Sequence, residues 1–321
     1  MNKLNIGVLG CANIAKRSVI PAIKSINDFN LVAIASRTQA KADEFAQEFG
    51  CEAVEGYQNL LERKDIDAIY MPLPTGLHEE WVNKALEAGK HILIEKSLAM
   101  NYDSAHRMVD LAREKGLLIM ENFMFLYHGQ HQYVKDLIAK GEIGELRCFR
   151  SSFGFPPLDE GNFRYSKELG GGALLDAAAY TVRASQLFLG NDLWVEAATL
   201  NNIDANVDIY GGAYLKAANG MFSEVAFGFD NFYQCSYEIW GSKGKITAQR
   251  AFTPGVDFKP IITLEQQGEV FNYEVDAENH FVNILNEFKR CIIEKDVEKK
   301  YEEILNQSRL LQELKDKSED E

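Results

Sequence analysis

Three short segments carry residue types and spacings that can do chemistry. The first, Gly10-Cys11-Ala12-Asn13-Ile14-Ala15, matches G-x-[GA]-x-x-[GA] directly after an apolar run. Gly10 permits a tight turn, Ala12 keeps backbone close to a pyrophosphate, and Ala15 allows close helix-to-strand packing. The helix that follows presents unpaired N–H groups and a positive dipole end to the diphosphate. The second segment is His91-Ile-Leu-Ile-Glu95-Lys96-Ser97, an apolar strand ending in a charged pair. Its end lies at the carboxyl edge of a parallel sheet, where such sheets bind ligands. The third is Gly170-Gly171-Gly172-Ala173-Leu-Leu-Asp176-Ala177-Ala178-Ala179-Tyr180-Thr-Val-Arg183. Asp176 and Tyr180 are i and i+4 on one helix and share a face, with Arg183 one turn on. The three alanines leave room for a ligand, and the three glycines let backbone approach it.

The cofactor type is legible at Ala35-Ser36-Arg37-Thr38. An NAD site usually presents an acidic residue here to hold the ribose 2′-hydroxyl, and none is present. Ser36 and Thr38 can donate to a 2′-phosphate, while Arg37 can pair with it and stack on adenine. NADP(H) is predicted over NAD(H).

The elements that must position these residues alternate through the first third of the chain. Leu4–Leu9, Leu31–Ala35, Ala68–Met71, His91–Glu95 and Leu117–Met120 read as strands. Ala12–Ile26, Gln39–Phe49, Glu79–Ala88 and Tyr102–Lys115 read as helices. Apolar strands bracketed by helices predict an α/β Rossmann domain with a doubly wound parallel sheet buried on both faces. Gly50, Gly89 and Gly116 each follow a helix end. After about Phe123 come helices at Gln130–Ala139 and Ala173–Leu189, among strands at Leu146–Phe153, Val195–Leu200, Asp208–Leu215, Met221–Phe229, Tyr233–Trp240 and Ile261–Leu264. Gly211-Gly212, Asn219-Gly220 and Gly241–Gly244 are read as turns. The prediction is residues 1–122 as the dinucleotide domain and 123–321 as an α+β domain with a large, mostly antiparallel sheet. That second domain would bind substrate and oligomerise, and a C-terminal helix could pack back on the first. The charged end from Lys315 is expected to fray.

A net charge of −14 argues against nucleic acid and anionic membranes as partners. Five scattered cysteines without a C-x-x-C pair read as reduced cytosolic thiols, neither disulfides nor a zinc site. No signal peptide or membrane span is apparent, so a cytoplasmic enzyme is expected. His128 and His131, at i and i+3, have metal-pair spacing but no third ligand nearby. They are read as a polar helix face, and no metal is expected.

Taken together, the loop, the strand-end Glu-Lys and Gly-Gly-Gly-Ala-Leu-Leu-Asp-x-x-x-Tyr resemble the glucose–fructose oxidoreductase/inositol dehydrogenase/MocA family. Further stretches resemble its sugar-nucleotide C-3 ketoreductases: Gly7–Ala15, Met71-Pro-Leu73-Pro74 with His78, Met120–Phe125 and Arg250-Ala-Phe-Thr253-Pro254. The resemblance implies hydride transfer from NADPH to a carbonyl of a nucleotide-linked deoxysugar, at C-3. Tyr180 would donate the proton. Lys96 would stabilise the phenolate and polarise the carbonyl, since a phenol of pKa about 10 donates well only when pulled toward neutrality. It implies cofactor contacts from the Gly10–Ile14 loop, Ser36, Arg37, Thr38, Tyr57, Leu73, His78, Glu95, Lys96, Arg164 and Asp176. Substrate contacts are implied for Lys96, Phe155, Asp176, Tyr180, Tyr233 and Thr253. His78 reads equally as a local helix-start residue, Tyr233 equally as sheet packing, and Arg183 as structural. The family usually has proline after Glu-Lys, where this chain has Ser97. Dehydrogenation of a free aldose or a trans-dihydrodiol is the alternative activity, and a non-catalytic NADP(H)/sugar sensor the alternative of another class. A homodimer or homotetramer through the second-domain sheet is expected.

Overall fold

In the computed structural model, which describes residues 3–203 and 205–319, six strands form a parallel sheet. They are β1 (Leu4–Leu9), β2 (Phe29–Ser36), β3 (Glu52–Glu55), β4 (Ala68–Met71), β5 (His91–Ile94) and β6 (Ile119–Glu121). Their order is β3-β2-β1-β4-β5-β6. β1 pairs with β2 on one side and β4 on the other, so strand order reverses at β1 and the loop leaving it stands at the switch point. Ile6, Val8, Ile34, Ile69 and Leu93 are completely buried, which is why these strands read as continuous apolar runs.

The connecting helices are α1 (Ile20–Ser25), α2 (Gln39–Phe49), α3 (Tyr57–Leu61), α4 (His78–Glu87) and α5 (Tyr102–Lys115). Before α1, Ala15–Val19 form a wide π turn. Pro21 lacks the N–H that a regular ladder would use there. Asn101 caps α5 by accepting from the Ser104 N–H at 2.9 Å. Gly50 and Gly116 close α2 and α5 in left-handed conformation.

Two compact units result. The first joins the residues up to Phe123 with Phe281–Leu305; the second joins Met124–His280 with the residues from Asn306. The sequence reading cuts the chain once, after residue 122. The returning segment belongs to helices α8 (His280–Glu294) and α9 (Glu298–Glu319), not described by that single cut. Tyr301 and Ile304 lie in the same apolar core as Ile92 and Val109, and Arg113 pairs with Glu298 at 3.0 Å. α9 is helical through Glu319, so the fraying expected from Lys315 does not hold for 315–319; Asp320 and Glu321 lie outside the described residues.

In the second unit, eight strands run in the order β14-β13-β12-β11-β7-β10-β9-β8. They are β7 (Leu146–Phe155), β8 (Leu193–Asn201), β9 (Tyr210–Ala217), β10 (Phe222–Phe229), β11 (Gln234–Gly241), β12 (Gly244–Gln249), β13 (Ile261–Gln266) and β14 (Glu269–Glu274). Only the β7–β10 pair is parallel. α7 (Ala179–Leu189) packs on β7 and β10. Gly211 and Gly212 are not a turn. They lie within β9, and a Cβ on Gly211 would come 2.4 Å from the Thr199 carbonyl, so glycine lets β8 approach.

The polar-face reading of His128 and His131 is also overturned. Both are 1% exposed, on α6 (Gly129–Ala139) and at its start. His131 Nε2 lies 3.0 Å from the Ala251 carbonyl and Nδ1 3.0 Å from the Tyr237 hydroxyl. The carbonyl requires the ring proton on Nε2, so Tyr237 donates to Nδ1 and a neutral ring is fully satisfied. Among the described residues no group of three or more His, Cys, Asp or Glu could hold a metal. No helix among them is long and apolar enough to cross a membrane.

Candidate active site

In the first unit the dinucleotide loop has the required backbone. Gly10 sits at φ +130°, its N–H donates to the Ala35 carbonyl at 3.0 Å, and a Cβ there would lie 3.0 Å from Leu73 Cδ2. Asn13 and Ile14 open the helix, and the Ala12 carbonyl accepts from the Lys16 N–H at 3.1 Å. Cys11 is half-buried against the Ala35 and Lys41 carbonyls, and burial pushes its thiol up, away from reactivity.

At the end of β2, Ser36 is buried while Arg37 and Thr38 are exposed. Thr38 precedes α2 without capping it, so its hydroxyl is not committed to the helix N-terminus. Tyr57 is half-buried, with its ring edge-on to Trp81 at 5.1 Å, and burial raises its phenol. The next carboxylates, Asp43 and Glu44, lie a turn into α2, and Glu44 is paired with Lys41.

The end of β5 is fixed by its neighbours. One oxygen of Glu95 accepts from the Tyr70 hydroxyl and from the Asn122 amide, both at 2.6 Å. The Lys96–Ser97 peptide bond is cis. Leu98 N–H donates to Glu121 at 2.7 Å. His78 is completely buried and faces only backbone carbonyls: Leu73 from Nε2 at 2.8 Å, Ser97 and Leu98 from Nδ1 at 3.1 and 3.0 Å. Its ring is committed to this chain's own backbone, and burial drives its pKa down. Tyr70 escaped the sequence reading, and Glu121 and Asn122 lie in Met120–Phe125, which it quoted without assigning them a role. The signal all three share is their place at or beside the carboxyl ends of β4 and β6.

In the second unit, Leu174–Ala178 form a π turn that runs straight into α7, which carries Tyr180. The wide turn rotates each residue less than an α turn does, so Asp176 and Tyr180 still share a face. Gly171 and Gly172 do come close to something, but it is this chain. A Cβ on Gly171 would lie 2.3 Å from the Arg164 carbonyl, and one on Gly172 2.3 Å from Asp208 Oδ1. Gly172 N–H donates to the Arg164 carbonyl at 2.9 Å, which brings Arg164 against the helix start. There its guanidinium pairs with Asp176 at 2.5 Å. Ala177, Ala178 and Ala179 are completely buried, so they accommodate protein rather than ligand.

Asp208, which the sequence reading passed over, caps this helix. Its Oδ2 accepts from the Leu174 N–H at 2.6 Å and its carbonyl from the Ala173 N–H at 2.9 Å. Asp208→Ala is expected to cost about 1–2 kcal/mol of stability, the scale of a lost N-cap. Urea unfolding measures it; a loss below about 0.3 kcal/mol would contradict the cap.

Tyr180 is 8% exposed, its ring held by Phe153 at 4.9 Å, Phe125 at 5.8 Å and Phe252 at 5.9 Å. Its hydroxyl lies 4.0 Å from Met124 Sδ. Arg183 is buried with its guanidinium on Gln186, in keeping with a structural role. Phe155 stacks on Phe229 at 5.5 Å. Tyr233 accepts from Arg250 at 3.0 Å, and that guanidinium sits 4.7 Å from the Tyr233 ring centroid. Thr253 joins the same cluster through Cys235 at 3.6 Å. Arg250 lies in a stretch that the sequence reading quoted without assigning it a role.

A switch-point dinucleotide loop and an anchored Glu-Lys strand end, followed by a helix-borne tyrosine, define a two-domain nicotinamide oxidoreductase. The family model described as "Oxidoreductase family, NAD-binding Rossmann fold" matches residues 4–123, and that of the GFO/IDH/MocA C-terminal domain residues 131–247. The chain belongs to the GFO/IDH/MocA oxidoreductase family. It is 47% identical to dTDP-3,4-didehydro-2,6-dideoxy-alpha-D-glucose 3-reductase of Saccharopolyspora spinosa, over 90% of this chain and 87% of that one. It is 32% identical to D-xylose 1-dehydrogenase (NADP(+)) 2 of Haloferax volcanii, over 89% and 88%. A 3-ketoreductase from Actinomadura kijaniata, solved with NADP and TDP-benzene, superposes with a TM-score of 0.95 at 41% identity, covering 98% of both chains. Two of its variants, one with a tyrosine changed to phenylalanine and one with a lysine changed to alanine, also match over 98% of both chains. Their TM-scores are 0.95 and 0.92, at 40% and 39% identity.

Proposed function

We propose that this enzyme uses NADPH to reduce the C-3 keto group of a dTDP-linked deoxysugar. The observation that carries the reading is the near-complete overlay on a 3-ketoreductase solved with NADP and a TDP ligand, against weaker likeness to a free-sugar dehydrogenase. Lys96 and Tyr180 are the catalytic residues. Hydride passes from the nicotinamide to carbon, Tyr180 gives its proton to oxygen, and the Lys96 ammonium stabilises the phenolate left behind. The tyrosine and the lysine changed in the two variants are separated along that chain by as many residues as Tyr180 and Lys96 are here, which supports the assignment. Arg164 and Asp176 act as a pair, and Glu95 serves as the anchored carboxylate beside Lys96. Phe155, Tyr233, Thr253 and Arg250 form the aromatic and cationic surface for the nucleotide. NADPH oxidation with dTDP-linked 3-keto sugars tests the reading.

The cofactor preference rests on Arg37 and Thr38 at the end of β2, with no carboxylate beside them. Arg37→Ala is expected to weaken NADPH binding by about 1.5–3 kcal/mol, the scale of a charged hydrogen bond, and to leave NADH nearly unchanged. Cofactor fluorescence titration measures both; equal affinities for NADPH and NADH in the parent protein would contradict it. A cytoplasmic location and a homodimer or homotetramer through the second-unit sheet complete the proposal. Half-exposed Trp240 and the Arg150–Glu224 pair on the outer side of that sheet support the pairing, and light scattering tests it.

A further inference from the structure

We infer that His78 is a positioning residue, fixing where the Lys96 ammonium stands relative to the dinucleotide loop without touching substrate or cofactor. The inference rests on the catalytic reading of Lys96 above. His78 is the first residue of α4, and its ring has no exposed surface. Its Nε2 end meets the carbonyl of Leu73, the residue whose side chain packs against Gly10 at the turn of the cofactor loop. Its Nδ1 end meets the carbonyls of Ser97 and Leu98, the two residues that follow Lys96.

One imidazole therefore spans the segment beneath the cofactor loop and the segment that carries the ammonium. Carbonyl oxygens only accept, and a neutral ring carries one N–H, which we place on Nδ1, the end that faces the two carbonyls of the Lys96 segment. Glu121 holds the same segment from another element, through the Leu98 N–H. A lysine whose backbone is gripped on both sides aims its Nζ from a fixed base. Loss of one grip lets that base drift, and small misplacements of a catalytic group cost rate rather than binding.

Two isosteric replacements divide the ring's contacts. The amide nitrogen of His78→Asn stands where Nδ1 does and keeps a donor toward Ser97 and Leu98; that of His78→Gln stands where Nε2 does and keeps one toward Leu73. His78→Phe removes both. The experiment is steady-state kinetics of these three variants and of Lys96→Ala, with NADPH affinity and thermal unfolding measured on each. His78→Phe is expected to lower kcat by ~10-fold or more with the KM for NADPH within about 2-fold, while His78→Asn recovers most of the loss. His78→Gln is expected to recover less than His78→Asn.

A parent-like kcat in folded His78→Phe would overturn the inference. So would a raised KM for NADPH at unchanged kcat, which would mark a direct cofactor contact. Should His78→Phe fail to fold, the Asn and Gln variants decide alone, and equal kcat in the two would overturn the inference. Lys96→Ala separates the two levels. If it retains parent activity, the catalytic reading itself fails; if it is inactive while the His78 variants are parent-like, only the positioning role fails.

Discussion

Replacing Tyr180 with phenylalanine is expected to lower kcat by ~10²-fold or more and to leave NADPH affinity nearly unchanged, the scale of a lost general acid. The change removes one oxygen from a ring whose packing against Phe125, Phe153 and Phe252 stays in place. A fall in kcat therefore reports the proton and not the fold. Lys96→Met should be at least as harmful, because in the proposed mechanism it removes the charge that makes the phenol a good donor and polarises the carbonyl. Single-turnover mixing of the NADPH complex with keto substrate reads the chemical step directly. A Tyr180→Phe rate within a few-fold of the parent would remove Tyr180 from the mechanism.

Acidification below pH 6.5 is expected to destabilise the second unit steeply. His131 is held down to about 3, by burial first and then by the neighbouring His128. His280 is held to about 4 by burial and by His128, and burial lowers His128 as well. The folded chain thus binds fewer protons than the unfolded chain, whose imidazoles titrate near 6.5. Stability is full above pH 6.5 and is lost as pH falls toward 4 and 3, by about 2 kcal/mol at pH 5 for each of His131 and His280. The geometry gives the same sign, since a protonated His131 would set its Nδ1–H against the hydroxyl hydrogen now donated by Tyr237. Urea midpoints from pH 8 to pH 5 measure the loss, and His131→Gln should flatten the curve. A midpoint constant across that range would contradict the buried neutral cluster.

These histidines mark a limit of the sequence. Their i, i+3 spacing is the same whether the face is solvated or buried. Only the fold of residues 237 and 251 onto α6 decides it, and local periodicity carries no long-range information. The same holds for Asp208, which caps a helix more than thirty residues earlier in the chain, and for Tyr70, Asn122 and Glu121 around the Lys96 strand end.

Strands with completely buried faces were legible almost to the residue, as at Leu4–Leu9 and Ala68–Met71, because burial on both sides writes itself as an apolar run. β14 was missed: five of its six residues are exposed, so it has no inward face to show. β3 is a four-residue edge strand with the same lack of signal. Gly171 and Gly172 were read as letting backbone approach a ligand and Gly211 and Gly212 as a turn, yet what approaches each of them is this chain's own backbone or side chains. Sequence names the freedom of a glycine; topology names its neighbour.

The most direct test of the whole account is the substrate. kcat/KM for NADPH consumption should be compared across dTDP-, UDP-, GDP- and CDP-linked 3-keto-6-deoxy sugars, with free aldoses and diols assayed for NADP+ reduction beside them. The highest value is expected for a dTDP-linked 3-keto sugar. A free aldose or diol turned over with a higher kcat/KM than every nucleotide sugar would contradict it, and so would tight NADPH binding with no turnover of any.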